Sequence, residues 1–169
     1  MNTPKELKAR FPYMFAGKNI GISIPTGWFP LFSKLCQDID VTLGKDKKAF
    51  CWVQVKEKFG AARWYSSIDG KEFGIKISVF NEKGDGEVTT LLDSRKGKPV
   101  VTIQQTVATL IDAAEGLTHK TCIVCGDQGK LDKHTGYVLA LCEKHSQMRK
   151  NGGNNSLPPF WFQDDEDDL

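Results

Sequence analysis

The chain has little histidine, little cysteine and no apolar run that approaches a membrane span. Only 3 His and 5 Cys stand among its 169 residues, which leaves few places from which to assemble a Ser-His-Asp or Cys-His catalytic group. No such constellation, and no pair of carboxylates spaced for acid–base work, can be picked out. A Walker sequence is also missing: Arg95-Lys-Gly-Lys-Pro99 is basic but lacks Gly-x4-Gly-Lys followed by Ser or Thr. A spanning helix needs about 20 apolar residues in a row, and none are present. The start Met1-Asn-Thr-Pro-Lys-Glu-Leu-Lys-Ala-Arg10 lacks the apolar stretch of a signal peptide. The expectation is a protein of a reducing cytoplasm, not membrane-bound, not an enzyme, and without a small-molecule substrate.

Where the scarce residues fall is informative. Cys122-Ile-Val-Cys125 is followed, after a sixteen-residue excursion that opens on Gly126, by Cys142-Glu-Lys-His145. Cys-x2-Cys and Cys-x2-His are four soft or borderline ligands at spacings that close one tetrahedron around zinc. With all four positions taken by protein, no place is left for water or substrate, so one structural zinc ion is expected. Reduced, unliganded cysteines or another metal are the alternatives. His119, three residues before Cys122, and His134, inside the excursion, could stand in for His145, but Cys142-x2-His145 is the better match and both read as surface histidines. Asp127 and Glu143 read as charge tuning beside a filled site. Cys36 and Cys51 remain over and lie in apolar surroundings, as buried thiols rather than a disulfide pair.

The net charge of +2 hides an asymmetry. Asp164, Asp165, Glu166, Asp167 and Asp168 carry five of the 21 acidic side chains. Residues 1 to 163 therefore hold 23 Lys and Arg against 16 acids, a net +7. Such a tail either competes for the body's own basic surface or solubilises the end. Before it, Asn151-Gly-Gly-Asn-Asn-Ser-Leu-Pro-Pro159 has the composition of a linker. Phe160-Trp161-Phe162, next to the acids, is either a clasp packed on the body or an anchor for a basic, grooved protein partner.

The hydrophobic fraction of 40% supports a proper core. A short helical pattern at residues 5 to 10 should stop at Pro12, and Phe11, Tyr13, Met14 and Phe15 then form either a lid on the core or a docking patch. Trp28, Leu31, Phe32, Leu35 and Ile39 recur at helical spacing over about 28 to 40, with Pro30 in the first turn and Ser33, Lys34, Gln37 and Asp38 on the polar face. After a lysine-rich loop at 44 to 49, Cys51, Val53 and Val55 alternate with Trp52, Gln54 and Lys56 as a strand. Gly60 supplies a turn, and Ala62 to Tyr65 the returning strand of a hairpin. Asp69-Gly70 marks a further turn, Phe73 to Val79 a third strand, 81 to 86 a turn, and Val88 to Leu92 a fourth strand. Thr102 and Gln105 form a capping box for a helix carrying Ile103, Val107, Leu110, Ile111 and Ala114, ended by Gly116.

The expected fold is α+β: a small antiparallel sheet of three or four strands covered by two amphipathic helices. A body at 1–116 would carry a zinc module at 117–150 and a linker with aromatic-acidic tail at 151–169. Knuckle, small hairpin and two ligands at a helix start resemble a treble-clef module. Gln54, Lys56, Arg63, Tyr65 and Lys76 could offer charge and stacking to DNA or RNA; a solvated sheet face accounts for the same residues.

Gly27-Trp-Phe29, Val53-Gln-Val-Lys-Glu-Lys-Phe-Gly60 with Arg63 and Tyr65, Ala114-Glu115, and Cys122-x2-Cys-Gly126 leading to Leu141-Cys142-x2-His145 together resemble a recurrent group of small bacteriophage and prophage proteins. The resemblance covers residues 10 to 146. It implies a phage-related α+β protein with a zinc module and transfers no activity to particular residues. Ala61-Ala62 stands where the group has Gly-Leu, and the 73 to 93 strands and acidic tail are particular to this chain. The expected function is non-enzymatic: a phage accessory protein that binds and modulates a host protein, such as a defence factor. The alternative is a nucleic-acid-binding accessory factor with an acidic regulatory tail.

Overall fold

A computed structural model describes residues 3–17, 22–45, 47, 50–68, 71–73, 78–80, 86–88 and 102–162. The expectations for Lys76, for the turns at 69–70 and 81–85, for the basic loop at 95–99 and for Asp164, Asp165, Glu166, Asp167 and Asp168 lie outside the described residues, as do parts of the approach at 17–27 and the loop at 44–49.

The chain is a small mixed α/β protein with antiparallel sheets. Helix α1 (Pro4–Arg10) starts on Thr3, whose hydroxyl accepts from the Glu6 N–H, and stops before Pro12 as the missing N–H of proline dictates. Residues Pro12–Phe15 make a single 3-10 turn. They form a lid: Phe11 and Met14 are buried, and the Tyr13 hydroxyl donates to Asp40 at 2.8 Å.

Helix α2 (Phe29–Leu43) has Pro30 in its first turn and runs one turn beyond the expected end, to bury Leu43 before Gly44. Ser33 is buried rather than on the polar face, and helix α3 (Ile103–Thr118) packs against α2. The α3 capping box is formed: Gln105 N–H donates to Thr102 Oγ1 at 3.2 Å and Thr102 N–H to Gln105 Oε1 at 2.9 Å. Gly116 does not end α3. It sits in open space and the helix continues to Thr118, so a boundary at 116 would cut an intact helix. Ile103, expected on the buried stripe, is 40% exposed, while Val107 and Ile111 are buried.

Strands β1 (Phe50–Lys58) and β2 (Ala61–Ile68) pair antiparallel, and β3 (Lys71–Phe73) adds to the far end of β2. The expected alternation in β1 changes phase. Trp52 pairs with Ser66 and Gln54 with Tyr65, which leaves Val53 as the extra residue of a bulge. Trp52 and Val55 therefore both face inward, and Val53 faces out. Phe32 of α2 lies against Trp52 and Trp64, ring centroids 5.2 and 5.0 Å away, and Phe50 meets Trp52 edge-on at 5.1 Å. Each aromatic buried here contributes about 1.5–3 kcal/mol. Of the expected strand at 73–79, Phe73 belongs to β3 and Ser78 and Val79 to β4 (Ser78–Phe80), which pairs with β5 (Gly86–Val88) in a separate two-stranded sheet; residues 74–77, and 89–92 of the expected fourth strand, lie outside the described residues.

Among the described residues β3 pairs with Ser66–Ile68, and the N–H groups of Ala62 and Trp64 on the same strand take other partners. The C-terminal turn of α3 covers them: Trp64 N–H donates to Glu115 Oε1 at 2.7 Å and Ala62 N–H to Thr118 Oγ1 at 3.1 Å. The edge is thereby closed to further strands. Among the described residues, no helix is long and apolar enough to cross a membrane.

Candidate metal centre

The second half of the chain builds the site from three short pieces. A knuckle carries Cys122 and Cys125, a hairpin of β6 (Lys130–Asp132) and β7 (Leu139–Leu141) follows, and helix α4 (Glu143–Gly152) begins on Cys142. The knuckle turn closes through Gly126 N–H to Cys122 O at 2.9 Å and Cys122 N–H to Asp127 O at 2.7 Å. Gly126 takes φ +83°, a region glycine enters without steric cost. Ile123 N–H donates to Ala140 O at 2.8 Å, which ties the knuckle to β7.

These pieces bring Cys122 Sγ, Cys125 Sγ, Cys142 Sγ and a ring nitrogen of His145 within 4.8 Å of one another. Cys125 and Cys142 sulfurs are 3.8 Å apart, and His145 Nδ1 lies 3.4 Å from Cys122 Sγ and 3.2 Å from Cys142 Sγ. Bond lengths of 2.3 Å to sulfur and 2.0–2.1 Å to nitrogen give a regular tetrahedron edges of about 3.8 Å and about 3.6 Å. The cluster thus has the size and donor set to hold a tetrahedral metal ion, with Nδ1 the imidazole donor.

Cys122, Cys142 and His145 are buried, and Cys125 is at the surface. Burial works against ionising Cys122, yet backbone N–H groups of Cys142, Cys125 and Val124 aimed at its sulfur outweigh this and hold the thiol below its ordinary value. The Cys125 thiol is pushed up by desolvation, with the Asp127 carboxylate and the Cys122 sulfur adding to it. Desolvation and the neighbouring Lys144 charge lower His145, which favours the neutral imidazole that metal ligation needs. His119 and His134 are exposed and stand outside the cluster.

The knuckle rests directly on the body. A Cβ built on Gly27 would lie 2.2 Å from Cys122 O, 2.7 Å from Gly126 N and 2.8 Å from Ile123 C. Gly27 N–H donates to Ile123 O at 3.0 Å, Thr26 Oγ1 to Val124 O at 3.1 Å, and Trp28 Nε1 to Thr121 O at 2.8 Å. The tail approaches the same segment: Thr26 N–H donates to Phe160 O at 2.7 Å, Trp161 bridges Pro25, and the Phe162 ring meets Phe29 at 5.0 Å. Phe160 and Phe162 are packed on the core and Trp161 is 39% exposed. In this arrangement the aromatic trio is a clasp.

Compared with models of protein families, with curated proteins and with solved structures, the chain has no match.

Two further groups support the centre without having been singled out by spacing. Arg149, one turn beyond His145 and fully buried, pairs with Asp132 at 3.0 Å, donates from Nε to Asn154 at 2.7 Å and reaches the carbonyl of Tyr137. Asp132 in turn accepts from Ser146 Oγ at 2.6 Å. Hairpin and helix are thus joined by a buried ion pair as well as by the ligands. Four of the five residues assigned to a polyanion surface come together: Gln54 pairs with Tyr65 and Lys56 with Arg63 on one face of the β1–β2 hairpin. That face is not open along its length, since Arg63 and Tyr65 are half-buried and Ser67 is buried.

Proposed function

We propose that this chain is a non-enzymatic binding protein, stapled by one structural zinc ion in a treble-clef-like module, that acts on a protein of a bacterial host. Cytoplasmic action on a defence factor by a phage accessory protein is the form of this reading that the motif resemblance favours. The observation that carries it is the closed cluster: three sulfurs and one imidazole nitrogen within 4.8 Å of one another would fill four positions of a bound ion and leave none for substrate. The site's contacts run inward, to Gly27, Trp28 and the Arg149 pair, which is the pattern of a staple. Bound there, zinc would supply fold stability rather than Lewis-acid chemistry.

The test is capture of partners by the intact, zinc-loaded chain from a bacterial lysate, with and without nuclease treatment, read by mass spectrometry for protein and by gel for nucleic acid. A stoichiometric protein partner supports the proposal; recovery of nucleic acid alone contradicts it. The second reading, contact with DNA or RNA, has one observation in its favour, the shared face of Gln54, Lys56, Arg63 and Tyr65. It requires binding that weakens steeply as salt rises.

A further inference from the structure

We propose that the tip of the β1–β2 hairpin is the contact point for the protein partner, with Phe59 as a knob that enters an apolar pocket rimmed by carboxylates. This rests on the binding-protein reading above and names its surface.

Lys58 pairs with Ala61, so Phe59-Gly60 is a two-residue turn, and both residues have positive φ, +56° and +76°. That is the type I′ pattern, in which Asn-Gly or Gly-Gly fits without strain. A phenylalanine at the first position is an outlier for a bulky side chain. Its ring is 69% exposed, so burial offsets little of this cost. Strain and exposure together mark a residue retained for contact rather than for folding.

The neighbourhood extends the patch. Leu131 and Val138 side chains lie against Gly60, and Leu131 and Tyr137 are 43% and 48% exposed. The Cys/His module therefore sets its hairpin beside the tip and adds an aliphatic and a second aromatic side chain to it. The charge on offer is positive. Glu57 is engaged by the Gly60 N–H at 2.6 Å and the Tyr137 hydroxyl at 3.3 Å, and Asp132 by Arg149. Lys58 and Lys133 are exposed and have no ion pair to a described residue. An acidic rim on the partner complements them.

A nucleic acid fits less well. The Lys58 ammonium already lies over the Phe59 ring, 5.3 Å from its centroid, where a base would have to stack. An aromatic knob with an aliphatic neighbour and a polar rim is the make-up of a protein hot spot.

The test places the photo-crosslinker p-benzoylphenylalanine at position 59 of the full, zinc-loaded chain in a bacterial lysate, nuclease being added only after crosslinking, with the same probe at Val41, 80% exposed on α2, as control. The expected result is one protein crosslinked from position 59 and not from 41, at a segment where Asp or Glu flanks apolar residues. Phe59→Asn should lower recovery of that protein about 30-fold, with zinc content kept and a thermal midpoint equal to or above the parent's. Lys58→Glu with Lys133→Glu should also weaken recovery. Equal recovery by Phe59→Asn overturns the tip and leaves the binding-protein reading standing; no protein recovered by the parent chain overturns both. A crosslink to nucleic acid assigns the tip to that ligand instead. A lowered midpoint in Phe59→Asn makes Phe59 a structural residue and ends the proposal.

Discussion

Replacing Gly27 with Ala adds one methyl group where the metal module meets the body. Gly27 lies in a helical 3-10 turn, a backbone conformation open to alanine, so the penalty is steric. The new Cβ would stand 2.2 Å from the Cys122 carbonyl oxygen and under 3.0 Å from two more backbone atoms. To regain ordinary contact at 3.4 Å the knuckle must retreat by about 1.2 Å. No side chain can rotate away, since all three obstructing atoms are main chain. Retreat on that scale stretches three hydrogen bonds beyond useful length: Gly27 to Ile123, Thr26 to Val124 and Trp28 to Thr121. At about 1 kcal/mol each the loss is about 3 kcal/mol. For a chain of this size it lowers the thermal midpoint by about 6–12 °C. The assay is thermal unfolding of zinc-loaded Gly27→Ala, followed by circular dichroism, beside Gly116→Ala. Gly116 lies in α3 facing open space, so its alanine variant should gain up to about 1 kcal/mol. A Gly27→Ala midpoint within 2 °C of the parent would refute the close packing of knuckle on body.

Arg149→Met should cost about 3–5 kcal/mol in urea unfolding, because it strands the Asp132 carboxylate without its cation; a change under 1 kcal/mol would show the pair to be dispensable. Burial works against the Asp132 charge, but bonds from Ser146 and the His134 N–H and the Arg149 charge hold its carboxyl below the ordinary value. The resulting stability is fully present above about pH 4 and is lost as pH falls through the depressed folded value. Between pH 5 and pH 3 the parent should therefore lose more stability than Asp132→Asn, and parallel profiles would contradict this. Glu115→Ala removes the acceptor of the buried Trp64 N–H and should cost about 1–3 kcal/mol, while Glu115→Gln, which keeps an acceptor oxygen, should cost less; equal losses would point to packing alone.

Side chains with a fixed local signature were legible in the chain itself. Four metal-type donors at Cys-x2-Cys and Cys-x2-His spacing converge because a knuckle and a helix start each hold two ligands by local geometry. The Thr102-Gln105 capping box and Pro30 in the first turn of α2 are local in the same sense. What depends on distant partners was not legible. Gly27 reads as loop glycine until Cys122, 95 residues later in sequence, is placed against it. Arg149 reads as a surface residue of a polar helix until Asp132 and the Tyr137 carbonyl close over it. The bulge at Val53 left no mark because Val is at home on either face of a strand, and only the pairing of Trp52 and Gln54 displaces it. Gly116 misled for a related reason: an exposed glycine inside a helix costs about 1 kcal/mol and need not end it when Thr118 and Glu115 are held by β2. Phe59 carries no mark of strain in the sequence; its backbone angle alone reveals it.

Metal binding by Cys122, Cys125, Cys142 and His145 is the claim on which the rest depends, and cobalt reports it directly. Zinc-free chain titrated with Co²⁺ under reducing conditions should take up one ion. The intense visible bands of tetrahedral cobalt and a thiolate-to-metal charge-transfer band should appear, and one equivalent of Zn²⁺ should abolish them. Cys125→Ser should weaken the charge-transfer band and lower the folded yield. Weak bands of a six-coordinate, oxygen-ligated ion, or no uptake by a chain that stays folded, would contradict the account.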